Sequence, residues 1–131
     1  MLQKDNEMIQ TTIALQGKEK IGVYFTASWC PPCKKFTPLL KETYLDIVKH
    51  YTDFEIVSIH RCRNEQEYNE YRSTMPWLSV PFFHSIDQKI MTMGVGSIPR
   101  LVILDNKGQV INPDARRAVE IASWQDFYDI L

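Results

Sequence analysis

The sequence has little of what marks several large classes of protein. It contains three cysteines, too few for a disulfide scaffold, and five glycines, none of them in a phosphate-binding loop. Fifteen basic residues balance sixteen acidic ones, so the net charge of -1 gives no electrostatic reason to expect a nucleic-acid or membrane-surface partner. No apolar run approaches the roughly 20 residues that span a bilayer, and residues 1–10 lack the apolar region of a secretory signal. We therefore expect a cytoplasmic or nuclear protein that binds neither membrane nor nucleic acid.

The composition that is present fits one globular domain. Of 131 residues, 44% are hydrophobic and 24% are charged, and no repeat or linker divides the chain. At this length folding buries roughly two-thirds of the surface of the unfolded chain, so a core can form without disulfides. We predict a single domain over residues 1–131, and the near-neutral charge slightly favours a monomer.

The spacing of apolar residues predicts alternating strands and helices. Residues 20–26 (KIGVYFT) and 54–60 (FEIVSIH) are short apolar runs typical of buried strands. Between them, apolar residues recur at helical spacing from Cys33 onward, and Pro38 is expected to kink this helix. The remaining predictions are a helix over residues 64–74, a hairpin over residues 101–111 and a final helix capped by Ser123. This order indicates an α/β fold.

The most informative segment is residues 27–36 (ASWCPPCKKF), which places two cysteines where a buried strand passes into a helix. The unpaired N–H groups and the positive end of the helix favour a negative thiolate at Cys30. Cys33 then lies close enough to attack a mixed disulfide on Cys30, which releases the reduced partner and leaves a Cys30–Cys33 disulfide. Pro31 and Pro32 have no N–H to satisfy there, and they stiffen the loop. The segment predicts a nucleophilic Cys30 and a resolving Cys33.

Two other interpretations of the cysteine pair remain open. The pair could be half of a zinc site completed by Cys62 with His60 or His84, although the spacing of His60 and Cys62 does not fit the usual zinc motifs. The pair could also be two inert buried thiols, which would leave the prolines and the neighbouring tryptophan unexplained. For Cys62 itself we expect a structural or merely exposed thiol, with a regulatory thiol or a dimer-forming disulfide as the alternative.

Together these segments resemble the thioredoxin superfamily, in particular its tryparedoxin and nucleoredoxin branch. The matching segments occur in the order and approximate spacing of that branch: Tyr24 in the strand, WCPPC (29–33), KKFTP (34–38), MPWLSVPF (75–82), VGSIP (95–99) and LVILD (101–105). The resemblance covers residues 15–115. It implies a thioredoxin-like α/β fold, in which a central mixed sheet is flanked by helices and the active site lies at the carboxyl end of the first core strand.

The resemblance also implies roles for residues around the cysteines. The Ile98–Pro99 peptide would be cis and would lie opposite Cys30, with its backbone free to pair with an incoming peptide or thiol substrate. Trp29 and Trp77 would form part of an apolar rim around the Cys30 sulfur, with ordinary core packing as the alternative. The substrate-binding residues expected on this basis are Trp29, Pro31, Pro32, Trp77, Ile98, Pro99 and Arg100.

The chain departs from the family pattern at positions that bear on mechanism and substrate. Typical thioredoxins have a buried Asp where this chain has Tyr24. A phenol is a poor base near neutral pH, so we expect a water or another carboxylate to accept the Cys33 proton, with Tyr24 either supporting proton transfer or simply packed. Arg100 replaces a common Thr, and its charge would favour an acidic or glutathione-like substrate unless it is simply solvated. Residues 58–61 (SIHR) lack the acid that usually follows the second strand.

The function implied by the resemblance is thiol-disulfide oxidoreduction in cell redox homeostasis. Cys30 and Cys33 would reduce disulfides of target proteins such as peroxidases, and a low-molecular-weight dithiol or a flavin reductase would restore both thiols. No bound cofactor and no metal would be needed, because the cysteines carry the electrons. The alternative is a redox-sensing binding module, in which the state of Cys30 and Cys33 gates association with a partner.

Overall fold

The computed structural model describes residues 2–4, 7–82 and 97–131. Within these ranges one mixed sheet has the strand order β2-β1-β5-β4-β3-β6-β7. The strands are β1 (Leu2–Lys4), β2 (Glu7–Ile9), β3 (Lys20–Thr26), β4 (Phe54–His60), β5 (Leu78–Ser79), β6 (Arg100–Asp105) and β7 (Val110–Asn112). The helices are α1 (Thr11–Ala14), α2 (Pro31–His50), α3 (Glu65–Arg72), α4 (Arg116–Ile121) and α5 (Trp124–Asp129). The predicted thioredoxin-like α/β fold, a mixed sheet flanked by helices, is confirmed.

The centre of the sheet is β3, which pairs in parallel with β4 along its whole length and antiparallel with β6. Both predicted strands, 20–26 and 54–60, are confirmed with the same bounds, and every residue of β4 is buried. The predicted hairpin is formed by β6 and β7. Parallel strands bring their carboxyl ends to one edge of the sheet, so Thr26 and His60 lie side by side where the chain leaves β3 for the cysteines.

Four residues separate the end of β3 from the start of the helix α2, which carries the second cysteine in its first turn. Pro31 and Pro32 occupy its first two positions, where a missing N–H costs no hydrogen bond. Its apolar face is buried against the sheet and includes Phe36, Leu40 and Ile47. The helix is continuous through Pro38.

A core of large side chains lies between this face of the sheet and helices α2, α4 and α5. It includes Tyr24, Tyr44, Phe54, Trp77 and Phe127. Several of these rings meet edge to face, as do Phe54 and Phe127, whose centroids are 6.4 Å apart. The predicted final helix is α5, and the hydroxyl of Ser123 accepts a hydrogen bond from the backbone N–H of Asp126 at 3.2 Å. No helix in the described residues is long and apolar enough to cross a membrane.

Five short elements were not predicted: β1, β2, β5, α1 and α4. Residues 2–9 show no clear alternation of apolar and polar side chains, so their pairing depends on tertiary contacts. The hairpin of β1 and β2 joins the sheet where Gln3 pairs with Ser79 of β5. The phenol of Tyr68 contacts both ends of this junction, at 3.0 Å from Gln3 Oε1 and 2.9 Å from Ser79 Oγ.

Candidate active site

Cys30 is the residue that caps the N-terminus of α2. Its Sγ accepts a hydrogen bond from the backbone N–H of Cys33 at 3.3 Å, and its thiol points at the carbonyl oxygen of Ile98 at 3.9 Å. The N–H groups at a helix start have no partner within the helix, so a sulfur in the capping position supplies one. The same geometry stabilises negative charge on that sulfur. Cys30, the predicted nucleophile, is therefore the N-cap residue of α2.

Cys33 lies behind Cys30 and has no exposed surface, whereas 6% of Cys30 is exposed. Burial, reinforced by the hydrogen bond with Cys30, raises the pKa of the Cys33 thiol to about 12. Near neutral pH Cys33 is therefore a neutral thiol. The two sulfurs are unequal: the capping sulfur is nearer the surface, and the other is held protonated beneath it.

The loop before β6 lies against the two cysteines. The Ile98–Pro99 peptide bond is cis, as expected. Ile98 packs against a small buried cluster of Ala27, Cys30 and Cys33. The Val95–Gly96 part of the sequence motif lies outside the described residues. The structure therefore brings Ile98 and Pro99 next to the cysteines.

Trp29 and the two prolines form the exposed part of the site. The indole of Trp29 is 42% exposed, and its Nε1–H donates to the carbonyl oxygen of Arg61 at 2.6 Å. Pro31 and Pro32 are both exposed at the start of α2. The rim role expected for Trp29 stays a prediction.

The structure places Trp77 in the core, whereas we expected it in the apolar rim around Cys30. It is 2% exposed and packs edge to face against Tyr24 and Tyr44, with centroid distances of 6.0 and 5.6 Å. These two rings belong to the large core beneath the sheet, whereas Cys30 belongs to a separate small cluster. Trp77 is thus a core residue rather than part of an exposed rim.

Tyr24 and Arg100 are both held by hydrogen bonds within the protein. Tyr24 is fully buried, its phenol lies 2.6 Å from the hydroxyl of Thr37, and burial raises its pKa far above the ordinary value of a tyrosine. It stays protonated and cannot serve as a base. Arg100 is half-buried, and its Nε–H donates to the carbonyl oxygen of Pro113 at 3.1 Å. Its guanidinium is therefore anchored towards the end of β7.

Arg116 contributes a contact that sequence reasoning missed. Its Nη1–H donates to the carbonyl oxygen of Pro99 at 3.1 Å, which ties α4 to the cis-peptide loop. No local sequence pattern predicts this contact, because the hairpin of β6 and β7 lies between the two residues in the chain and brings them together only when it folds. Beside them an open groove of about 210 Å³ adjoins the active site. It is lined by Pro32, Lys35, Phe36, Leu39, Pro99, Arg116 and Glu120.

Among the described residues, those suggested for a zinc site do not assemble around the cysteine pair. In the described part of the chain no three His, Cys, Asp or Glu side chains come together to hold a metal ion. The imidazole Nε2 of His60 lies 2.7 Å from the hydroxyl of Ser58, and burial lowers the pKa of His60 to about 3. Cys62 is buried, which raises its pKa. His84 lies outside the described residues.

Comparison with known proteins places this site in context. A thioredoxin-like family model matches residues 17–110. Nucleoredoxin of Xenopus laevis is 38% identical over 115 residues, covering 86% of this chain and 28% of that protein. Tryparedoxin of Trypanosoma brucei brucei is 40% identical over 111 residues, covering 81% of this chain and 74% of that protein. A solved structure of tryparedoxin II complexed with glutathionylspermidine is 33% identical with a TM-score of 0.81, covering 91% of this chain and 83% of that one.

Proposed function

Because the chain belongs to the thioredoxin superfamily, in the branch of tryparedoxins and nucleoredoxins, we propose that it reduces disulfide bonds in proteins. A redox role in general follows from the family. The finer assignment is a protein-disulfide reductase that works through Cys30 and Cys33. The chain spans about a quarter of the nucleoredoxin and three quarters of the tryparedoxin that it matches, so the activity of any larger assembly is part of the proposal.

The observation that carries the proposal is the unequal environment of the two sulfurs. The Cys30 sulfur caps α2 at 3.3 Å from the Cys33 N–H, while Cys33 is buried with a raised pKa. A reductase of this kind needs one thiol that attacks first and a second that waits until the mixed disulfide has formed. The arrangement suits Cys30 for the first role and Cys33 for the second.

The proposed reaction moves two electrons in two exchanges. The Cys30 thiolate attacks one sulfur of the target disulfide, so a Cys30–target bond forms and the other target sulfur leaves as a thiolate. Cys33 then attacks the Cys30 sulfur, so the Cys30–Cys33 bond forms and the second target sulfur leaves. The two protons of the original dithiol end on the two target sulfurs. The protein is left oxidised, and the target is left reduced.

Residues around the cysteines would bind the target. An extended target segment would pair with the backbone at Ile98 and Pro99, next to the Cys30 sulfur. Trp29, Pro31 and Pro32 offer exposed apolar surface on the other side of the sulfur. Arg100, held near the same loop, would favour an acidic or glutathione-like group.

An external thiol is needed to regenerate the dithiol. A low-molecular-weight dithiol or a flavin reductase would supply the electrons, and peroxidases are candidate targets. The tryparedoxin II structure with glutathionylspermidine supports a small thiol as a partner. A cytoplasmic or nuclear location, where such donors keep thiols reduced, is part of the proposal.

The test is catalytic reduction of a model protein disulfide such as insulin, driven by an excess of dithiol. We expect turnover by the unaltered chain and loss of turnover in both Cys30→Ser and Cys33→Ser. Only Cys33→Ser should accumulate a mixed disulfide with the target, because Cys30 is still able to attack. Full turnover by Cys30→Ser would contradict the mechanism. A reversible Cys30–Cys33 disulfide without turnover would instead favour a redox-gated binding module.

A further inference from the structure

The groove between α2 and α4 adjoins the sulfur that attacks a target disulfide. Its volume is about 210 Å³, and along α2 it extends from Pro32 to Leu39. Pro32 stands two residues after Cys30. Pro99, which also lines the groove, follows Ile98, whose carbonyl oxygen lies 3.9 Å from the Cys30 thiol. The groove therefore begins beside the reactive sulfur and leads away from it along the helix.

The lining of the groove is mainly apolar. Pro32, Phe36 and Leu39 are spaced four and three residues apart, so they lie on the same face of α2. Phe36 is 3% exposed and forms a floor, whereas Leu39 is 44% exposed. Pro99 adds an apolar wall from the cis-peptide loop. The groove thus presents concave apolar surface that a side chain of a bound target can cover.

Charged side chains complete the lining. Lys35 belongs to α2, whereas Arg116 and Glu120 are four residues apart on α4. Two positive charges against one negative charge make the groove positive overall. Arg116 is held by its hydrogen bond to the Pro99 carbonyl oxygen, so the exposed Lys35 is the cation that a target reaches first. The groove therefore favours an acidic group over a basic one.

The size of the groove limits what it can hold. Sites for small molecules usually have volumes of about 300–1,000 Å³, so 210 Å³ suits one large side chain rather than a whole small molecule. Leu39 is seven residues after Pro32, which corresponds to a rise of roughly 10 Å along α2. An extended chain covers that length in about three residues. A target whose cysteine meets Cys30 therefore reaches the groove with residues two to four positions away.

We propose that this groove binds the segment of a target protein next to its reactive cysteine. The apolar surface takes one bulky apolar side chain, two to four residues from that cysteine, and Lys35 takes an acidic residue beside it. The inference rests on the proposed function and deepens it, because it names the sequence that makes a disulfide a preferred target. The groove contributes to target binding before Cys30 attacks and takes no part in the exchange of bonds.

Synthetic peptide disulfides of defined sequence test the groove. Each peptide has one cysteine and is linked to an identical copy, so both sulfurs have the same neighbours. All other residues are glycine or serine, except for one leucine, which is placed in turn at each position from four before the cysteine to four after it. The rate constant for reduction by the prereduced chain is measured by acid quenching and chromatography of the released peptide thiol.

We expect a leucine two to four residues from the cysteine to accelerate reduction about tenfold over the peptide without leucine, because partial burial of a leucine side chain contributes that much. Leu39→Gln should reduce this gain at least about threefold, since it replaces apolar surface of the groove. Leu45→Gln is the matched control, because Leu45 is on the same helix, is 38% exposed and does not line the groove. It should keep the full gain.

The charge preference is tested with a glutamate or a lysine placed beside the leucine at its best position. At physiological ionic strength, exposed charges more than about 8 Å apart are largely screened, so charges in the groove dominate. We expect the glutamate peptide to react about fivefold faster than the lysine peptide, and Lys35→Gln to bring the two rates within about twofold. Lys34→Gln is the matched control, because Lys34 is also exposed and does not line the groove. It should keep the fivefold preference.

Equal rates for every leucine peptide and for the peptide without leucine would overturn the inference and leave the proposed function standing. A full gain in Leu39→Gln would also overturn it, because the leucine would then bind elsewhere, for example against Trp29. An equal loss of the glutamate preference in Lys34→Gln and Lys35→Gln would overturn the choice of an acidic residue, because overall charge would then explain it. Failure of the parent to reduce either the peptides or insulin would overturn the proposed function itself.

Discussion

Arg116, at the start of α4, donates through Nη1 to the carbonyl oxygen of Pro99 at 3.1 Å. Since Pro99 follows the residue that faces the Cys30 thiol, a helix far along the chain helps to hold one wall of the active site. Hydrogen bonds from charged donors contribute about 1.5–3 kcal/mol when they are well shielded from water. Arg116 is half-buried, so a smaller contribution is expected.

Replacing Arg116 by Gln should therefore weaken target binding. We expect the KM for a model protein disulfide to rise about threefold to tenfold, as a loss of about 1 kcal/mol implies. The neighbouring and exposed Arg117 carries the same charge, so Arg117→Gln is the matched control and should leave KM unchanged. An equal rise in KM for both variants would point to net charge rather than to the Pro99 contact.

Substitution of Trp77 should reduce the stability of the fold, whereas substitution of Trp29 should reduce activity. Trp77→Ala removes a fully packed core ring and should lower the free energy of unfolding by about 3–5 kcal/mol. Trp29→Ala removes an exposed ring and should lower it by less than about 1 kcal/mol while it reduces turnover. Denaturant unfolding measures the free energy of unfolding, and the disulfide-reduction assay measures turnover. Comparable loss of stability in the two variants would contradict the core position of Trp77.

His60 should make the fold sensitive to acid. Its pKa is lowered to about 3 in the folded protein from the ordinary 6.5, so between these values the unfolded chain binds a proton that the folded chain does not. The free energy of unfolding should therefore be highest above pH 6.5 and should fall as the pH drops towards 3, by about 1.4 kcal/mol per pH unit.

His60→Phe should remove this component of the acid sensitivity, measured as the slope of unfolding free energy against pH. His50 is exposed and stacks on Trp124 with ring centroids 4.8 Å apart. His50→Phe should keep the parent slope. An unchanged slope in His60→Phe would show that carboxylates alone account for the acid response.

The cysteines should differ in their rates of alkylation. Cys33 and Cys62 are both buried with raised pKa values, whereas Cys30 caps a helix beside the surface. Iodoacetamide at neutral pH should therefore modify Cys30 at least about tenfold faster than either of the others. Peptide mapping by mass spectrometry gives the order. Modification of Cys62 first would show that the segment around it opens more readily than the active site.

Much of the fold was predictable because the pattern is strong where burial is complete. The strands β3 and β4 are short, mainly apolar runs, and their predicted ends match the structure. The short β5 has only two residues, too few to carry a pattern. The cysteine pair was recognisable because its chemistry depends on neighbours in the sequence.

The rest of the site depends on distant parts of the chain. Thr26 and Tyr71 are 45 residues apart, and their contact follows from the packing of α3 against the end of β3. Arg116 reaches Pro99 only after the hairpin of β6 and β7 has formed. The position of Trp77 could not be settled from the motif that contains it, because the face on which a ring lies depends on how the strand after it pairs.

The outermost strands of the sheet are short, and this disfavours strand pairing between copies of the chain. At one side β1 and β2 are three residues each and cover the two-residue β5. At the other side the three-residue β7 meets β6 with a register irregularity next to Ile103. Short and irregular edges offer a foreign strand few backbone groups to pair with. A deletion that removes the β1–β2 hairpin would uncover β5, and the expected outcome is edge-to-edge aggregation rather than loss of the thiols' chemistry.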